Sequence, residues 1–149
     1  MFTTARALAF GREGRIEEWV HGFLNDEGNN PAFSQGLKIT PRCFTVPLEI
    51  DLGMIERCCG PEEGIKFPVP AEGFESRITA MGQRMDGGWD VPPLIVNYSE
   101  GRFELNDGNH RYEALRRRGT HRHHVIFWTT GEADFQELAE RLGLEFRAG

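Results

Sequence analysis

The residues with the clearest chemical potential form one short run in the second half of the chain. Asp107, Gly108, Asn109, His110 and Arg111 follow one another. We expect Gly108 to let the backbone turn sharply and come close to a ligand. Asn109 is expected to cap the helix that follows, whose free amides and dipole favour an anion. Arg111 adds a charged donor for phosphate, and His110 adds a hydrogen-bond donor or a proton shuttle.

Asp107 stands immediately before this turn and has more than one possible use. Its carboxylate can hold Mg²⁺ or position a reacting hydroxyl, or it can orient His110 or Arg111. A simpler interpretation also stands, because Asp-Gly-Asn is a common connecting turn in which the side chains bond their own backbone. The residues alone leave these interpretations open.

The charge of the chain is concentrated beside the same run. The net charge is -6, yet the stretch 111–124 holds five arginines against a single acid. A local basic patch on an acidic protein favours a small anionic ligand over a long polyanion, although a solvated helix face beside a basic loop remains an alternative. Arg118 lies on the Arg111 side of the predicted helix and is expected to contact the ligand. Arg117 is expected to face solvent near Glu113.

Hydrophobic periodicity predicts the elements that must position these residues. Around the motif we expect a buried strand, a tight turn at Ser99-Glu100-Gly101, a return strand and then the basic helix. Thr129 and Glu132 fit a capping box that opens a last helix. The predicted elements of this half are a helix over 74–85, strands over 94–98 and around 103–105, a helix over about 110–118 and a strand over 124–128.

The first half of the chain is less informative. Apolar spacing predicts an amphipathic helix over about 13–25, and 28–36 has the composition of a loop. Short extended pieces are expected within 38–48, and a helical turn within 52–59. This half therefore supplies no candidate site of its own.

Length and composition set the class of protein. With 149 residues and 39% hydrophobic residues, we expect one domain over 1–149 with its own core. No apolar run is long enough to span a membrane, and we expect no secretory signal. Three cysteines without a C-x-x-C pair favour a reducing, cytoplasmic location. Cys58 and Cys59 are expected to be small buried hydrophobic residues.

The clustered histidines and Trp89 are two further places where side chains could bind a ligand. His121, His123 and His124 have the side chains of a metal site but no nearby cysteine or carboxylate, so an exposed basic loop is favoured. Trp89 follows two glycines and precedes a proline, which makes it the tryptophan best placed to cover a nucleobase. Packing remains the commoner role of a tryptophan.

The segments 93–96 and 103–119 resemble the core of the ParB/sulfiredoxin superfamily. The shared pattern is a strand pair and a Gly-polar-His/Arg-Arg turn that leads into a helix, here Gly108-Asn109-His110-Arg111, and it covers about 74–128. The resemblance implies an α+β fold with a small mixed sheet flanked by helices. It also implies that the turn and the helix start bind nucleotide phosphates.

The branches of that superfamily carry different residues at the turn, and this chain matches them to different degrees. Sulfiredoxins carry a nucleophilic cysteine where this chain has Asn109, so their chemistry is disfavoured. ParB partition proteins continue into a helix-turn-helix domain, for which we expect no room here. The serine-kinase branch, with Asp-Gly-His-Thr-Arg, is the nearest in pattern. It also uses an upstream glutamate, for which Glu56 and Glu75 are the candidates.

The sequence thus predicts a nucleotide-binding domain that takes ATP or CTP with Mg²⁺. Asp107 and His110 are the catalytic candidates for a kinase-like phosphotransferase or a nucleotidase, and Asp107 is the candidate Mg²⁺ ligand. One alternative is a non-catalytic module that binds DNA or protein; DNA is possible but not favoured. A metal-dependent nuclease is a second alternative. The predicted phosphate ligands are Gly108, Asn109, His110, Arg111 and Arg118.

Overall fold

The computed structural model describes residues 2–144 as helices around one mixed sheet and a small second sheet. A 3-10 turn over Leu52–Met54 follows the second strand. The helices are α1 (Thr4–Arg12), α2 (Ile16–Leu24), α3 (Pro31–Leu37), α4 (Ala71–Asp86), α5 (Asn109–Arg117) and α6 (Glu132–Leu142); the strands are β1 (Arg42–Phe44), β2 (Leu48–Asp51), β3 (Glu56–Arg57), β4 (Cys59–Gly60), β5 (Phe67–Pro68), β6 (Leu94–Ser99), β7 (Arg102–Asp107) and β8 (Arg122–Thr130).

The main sheet has six strands in the order β1-β8-β6-β7-β3, with β2 also paired to β8. β6 is parallel to β8 and antiparallel to β7, while β3 is parallel to β7. β8 pairs with β2 along its first half and with β1 along its last residues, both antiparallel. The predicted α+β architecture with a mixed sheet flanked by helices is confirmed. The extent of one domain over 1–149 stays a prediction.

Both faces of the central strands are buried. Leu94 and Val96 belong to a core cluster that includes Leu115 of α5 and Leu138 of α6. Ile95, which points to the other face, belongs to a second cluster with the apolar side of α2. A strand covered on both faces is apolar at consecutive positions, which explains the unbroken run of the predicted strand.

The turn between β6 and β7 forms as predicted. Glu100 has a φ of 51° and Gly101 a φ of 77°. Two successive positive φ values give a type I′ turn, whose twist matches that of the flanking strands. The hairpin fixes the register that brings Asp107 to the end of β7.

Helices in the first half differ from the prediction. The predicted helix begins at Ile16 rather than near 13, and α1 precedes it. Thr3 caps α1 by accepting from the Arg6 amide, a signal that the apolar periodicity does not carry. The predicted loop over 28–36 contains α3, which starts at Pro31, a residue suited to the first helical position.

Two further details correct the prediction. The helical turn expected within 52–59 ends at Met54, and strands follow it. α6 is capped by Gly131, so the capping box of Thr129 and Glu132 does not form. Thr129 lies in β8, and its hydroxyl donates to the Gly131 carbonyl instead. Among the helices in residues 2–144, none is long and apolar enough to cross a bilayer.

Candidate functional site

The predicted sharp turn at Gly108 is present. Gly108 has a φ of +104° and occupies the N-cap of α5, directly after β7. A Cβ added there would lie 2.7 Å from Leu94 Cδ2 and 2.8 Å from Arg111 Nη2. Both the left-handed backbone and the close contacts therefore require glycine at this position.

Asn109 does not cap the helix, which corrects the prediction. It is the first residue of α5, and its Oδ1 accepts from the amides of Cys58 and Cys59, each at 3.1 Å. Its Nδ2 donates to the Leu105 carbonyl at 3.2 Å. The buried amides of the β3–β4 segment need acceptors, and Asn109 supplies them. Its side chain ties that segment to the turn, which leaves only its backbone amide for a ligand.

Arg111 and Asp107 form a buried ion pair beside the turn. Arg111 Nη2 lies 2.9 Å from Asp107 Oδ2, and the Arg111 residue is 4% exposed. Arg111 Nη1 donates to the carbonyls of Pro92 and Pro93 at 2.8 and 2.9 Å. Asn30 Nδ2 contacts Asp107 Oδ1 at 3.3 Å. The pair therefore joins β7, α5, the segment before β6 and the start of α3.

Burial dominates the electrostatics of this pair. Burial raises the pKa of Asp107, and the opposing attraction of Arg111 and the bond from Asn30 act to lower it. The Arg111 guanidinium also lies 5.0 Å from the centre of the Phe23 ring. Most of its donors are used inside the protein, and its charge is paired with that of Asp107, so its main contribution is to hold the turn in place.

A cavity of about 300 Å³ opens at the turn. Asp107, Gly108, His110 and Arg111 form one side of it. The remaining lining comes from α4, from the segment that follows α4 and from the end of α2 with its following loop. These residues are Arg77, Met81, Arg84, Trp89, Pro92, Phe23, Glu27, Gly28 and Asn29.

The α4 side of this cavity carries two arginines that the sequence analysis did not single out. Arg77, Met81 and Arg84 lie four and three residues apart, which places them on one helix face. Arg84 lies 3.9 Å above the Trp89 ring. Within residues 2–144 neither arginine has an ion pair. The sequence spacing of Arg77, Met81 and Arg84 could have indicated this face, but the helix was predicted from its apolar residues alone.

His110 is half-buried at the start of α5, where it lines the cavity. Its ring centre lies 5.0 Å from that of Phe74. Burial lowers the pKa of His110, and the positive charges of Arg77 and Arg57 lower it further. The imidazole is therefore neutral at pH 7, and an anion in the cavity would raise its pKa.

Arg118 lies outside the cavity, which corrects its predicted role. It follows α5 as the C-cap, and its Nη1 bonds to Asp86 at the end of α4. Seven residues of helix place it about 10 Å along the axis from Arg111, so a shared helix face does not bring it to the turn. Arg117 is exposed and pairs with Glu75 at 2.6 Å and Glu113 at 3.4 Å, as expected of a solvent-facing residue.

The two glutamates considered as upstream bases are engaged elsewhere. Glu75 pairs with Arg117. Glu56 is exposed and bonds to Arg102 at 2.8 Å. Neither of them lines the cavity, so the structure brings no upstream glutamate from this pair to the turn.

The carboxylates at the turn do not form a metal site by themselves. Within residues 2–144 there is no group of three or more potential metal ligands from His, Cys, Asp and Glu. Both oxygens of Asp107 already have partners in Arg111 and Asn30. His123, one of the clustered histidines, contacts the Pro92 carbonyl at 3.2 Å. Asp107 is therefore placed as the ion-pair partner of Arg111 in this structure.

The cysteines lie closer to the motif than their sequence positions indicate. Cys58 is buried, and its thiol donates to the Leu105 carbonyl at 2.8 Å; Cys59 is only half-buried. Burial raises the pKa of both thiols. Both cysteines are therefore neutral at pH 7, and their amides, rather than their sulfurs, support the turn through Asn109.

Comparison with known proteins gives weak similarities. No protein-family model matches this chain. The chain is 33% identical over 63 residues to a BEACH domain-containing protein, lvsE, of Dictyostelium discoideum. That match covers 38% of this chain but spans only 3% of the length of the curated relative. It therefore assigns no function to the turn.

Solved structures with a similar chain path include a sulfiredoxin from Arabidopsis thaliana, with a TM-score of 0.41, 16% identity and coverage of 61% of this chain and 93% of that one. A Pnob8-like ParB-N domain has a TM-score of 0.41 and 12% identity, with coverage of 70% of this chain and 37% of that one. ParB from Caulobacter crescentus complexed with CTP-gamma-S has a TM-score of 0.37 and 17% identity, with coverage of 69% of this chain and 54% of that one. With TM-scores below 0.5, these similarities support no assignment of ligand or activity.

Proposed function

We propose that the cavity at the Gly108 turn binds the phosphate groups of a nucleotide. The observation that carries this proposal is the presence of Arg77 and Arg84, which lack ion pairs within residues 2–144, on the cavity that also receives the N-terminus of α5. The first amides of a helix have no acceptor within the helix and, with the dipole, attract an anion. Arginines without a carboxylate partner add charge-assisted donors.

The residues of the turn would divide the work of binding. Gly108 lets the backbone approach the phosphate, and the backbone amides of Asn109 and His110 donate to it. Arg111 lines the cavity, and its ion pair with Asp107 keeps the turn in place. Trp89 lines the same cavity, and a nucleobase that stacks on its ring would have to share it with the Arg84 guanidinium that lies over it.

The prediction of ATP or CTP with Mg²⁺ remains part of this proposal. Mg²⁺ often binds through substrate phosphates with few protein ligands, so the ion would arrive with the nucleotide. If phosphoryl transfer or hydrolysis takes place, neutral His110 is a candidate proton acceptor, and the Glu27 carboxylate on the same cavity is a second one. Asp107 would act by positioning Arg111, because both its oxygens are engaged.

Calorimetric titration with ATP, ADP, CTP and GTP, each with and without Mg²⁺, tests the proposal. We expect one nucleotide to bind the wild type, and the double variant Arg77→Ala, Arg84→Ala to bind it at least about tenfold more weakly, because two charge-assisted bonds are lost. Arg118→Ala is the matched control and should bind like the wild type. The proposal fails if the folded wild type binds none of these nucleotides, or if the double variant binds as tightly.

A DNA-binding surface on the basic helix is less well supported. Arg117 and Arg118 are paired with Glu75, Glu113 and Asp86, so much of their charge is compensated within the protein. DNA binding would require several of these charges to face phosphates and would give a steep salt dependence. The absence of a carboxylate cluster within residues 2–144 likewise gives a metal-dependent nuclease no support.

A further inference from the structure

A second cavity, of about 750 Å³, lies against the sheet face that carries Asn97 and Trp128. It shares no lining residue with the cavity at the turn. Its volume falls within the range of small-molecule sites. It therefore requires an explanation separate from phosphate binding.

The floor of this second cavity is one row of side chains across three neighbouring strands. Asn97 of β6 is in register with Trp128 of β8 on one side and with Glu104 of β7 on the other. Asn106, two residues after Glu104, points to the same face. Because neighbouring strands lie about 4.8 Å apart, the row is roughly 10 Å wide. That width matches a ring system of one or two rings.

The walls at the two ends of the row carry aromatic rings, and the cations Arg42 and Lys66 also line the cavity. Phe33 of α3 lies against Trp128, with ring centres 6.0 Å apart, at the β8 end. At the β7 end, Lys66 bonds to both oxygens of Glu104 at 3.2 Å, and the next residue, Phe67, is 54% exposed. The cavity is thus a slot with aromatic walls and a polar floor.

The floor of the slot leaves two side-chain acceptors for a ligand. The Trp128 indole donates to Asn106 Oδ1 at 3.0 Å, and Asn97 Nδ2 donates to the Trp128 carbonyl at 3.2 Å. Asn30 Nδ2 is directed to Asp107. Within residues 2–144, the side-chain oxygens of Asn97 and Asn30 have no hydrogen-bond donor, and neither oxygen is fully buried. A ligand with N–H groups along one edge would satisfy them.

We propose that this slot binds a flat heteroaromatic molecule that carries N–H donors. The ring would lie between Phe33 and Phe67, and its N–H edge would face the oxygens of Asn97 and Asn30. This ligand differs from the nucleotide at the Gly108 turn, whose binding requires the cationic α4 face. The two sites have different lining residues, although Asn30 of the slot also donates to Asp107 of the turn.

Titration by ¹⁵N NMR with adenosine, cytidine and indole tests this site. We expect at least one probe to give saturable shifts of the Trp128 indole N–H and of the Asn97 side-chain amide. Asn97→Leu should weaken that binding about tenfold, the value of one hydrogen bond in a desolvated site. Ser99→Ala, on the same strand and outside the cavity, is the control and should leave it unchanged.

Absence of saturable shifts with all three probes at millimolar concentration would overturn the proposal, as would binding that Asn97→Leu leaves intact. Arg77→Ala separates the two sites, because it removes a cation from the phosphate cavity and touches no residue of the slot. Probe binding retained in Arg77→Ala supports the slot as an independent site. Probe binding lost in that variant contradicts it.

Discussion

The residues at the turn fall into two groups, those that face the cavity and those whose side chains bond inside the protein. Gly108, His110 and the arginines of α4 face a cavity, whereas Asn109 and Arg111 spend most of their hydrogen bonds inside the protein. A buried charge is costly unless it is paired. Arg111 and Asp107 are therefore held as a unit, and the loss of one partner leaves the other without compensation.

Arg111→Met should lower the free energy of unfolding by about 3–5 kcal/mol at pH 7, because the buried Asp107 carboxyl then loses its partner and must stay charged or bind a proton. The double variant Asp107→Leu, Arg111→Met should recover part of this loss. Urea unfolding followed by circular dichroism gives the values. Arg118→Met, at an exposed pair, should stay within about 0.5 kcal/mol. A loss below 1 kcal/mol in Arg111→Met would show that the pair is not coupled as the distances indicate.

At the scale of elements, the β7–α5 junction positions the whole site. β7 ends at Asp107, the chain reverses through one residue with positive φ, and α5 starts at once. No residue with a Cβ fits this junction, since the Leu94 methyl and the Arg111 guanidinium lie against it. The shape of the junction therefore depends on one glycine.

Gly108→Ala should lower the free energy of unfolding by about 3 kcal/mol, because of the left-handed backbone and the contacts at 2.7 and 2.8 Å together. Gly119→Ala is the matched control: its φ is also positive, at +81°, but no atom lies within 4 Å of an added Cβ. That variant should cost only about 1 kcal/mol. Equal losses in the two variants, measured by thermal and urea unfolding, would mean that packing at the turn contributes nothing.

The local sequence pattern predicts the secondary-structure elements around the turn better than it predicts which side chains bond to each other. The strand pair, the hairpin and the α5 helix follow from apolar alternation and from turn residues, which act over a few positions. The bond from Asn109 to Cys58 and Cys59 joins residues some 50 positions apart, and no local signal carries it. Arg118 was misplaced for the same reason, because a shared helix face does not tell which end meets a cavity.

For the whole molecule, three histidines in separate places have pKa values lowered by burial. His21 lies in α2, His110 at the turn and His123 in β8. A lowered pKa in the folded state means that the unfolded chain binds protons first as the pH falls. Well above about pH 6.5 both states are neutral, and the effect develops as the pH falls through the unfolded pKa of about 6.5.

The free energy of unfolding should therefore fall as the pH drops from about 6.5 to 5.5, by up to about 1 kcal/mol for each of the three histidines. Asp107 acts in the opposite direction at lower pH, because its raised pKa lets the folded state bind a proton first. Urea unfolding across this range gives the slope. His123→Asn should flatten it; a wild-type curve without slope would contradict the direction of all three shifts.

The divided pairing of β8 has a consequence for behaviour at high concentration. Two short strands, β1 and β2, share the outer side of β8, and Thr45 between them bonds to Phe127 through both its amide and its hydroxyl. This border of the sheet is interrupted, and Pro47 lies next to the break. An interrupted border offers no long row of free amides to a second copy. Such a border resists strand-by-strand aggregation, and the charged Arg42, Glu49 and Asp51 on the same two strands add to that resistance.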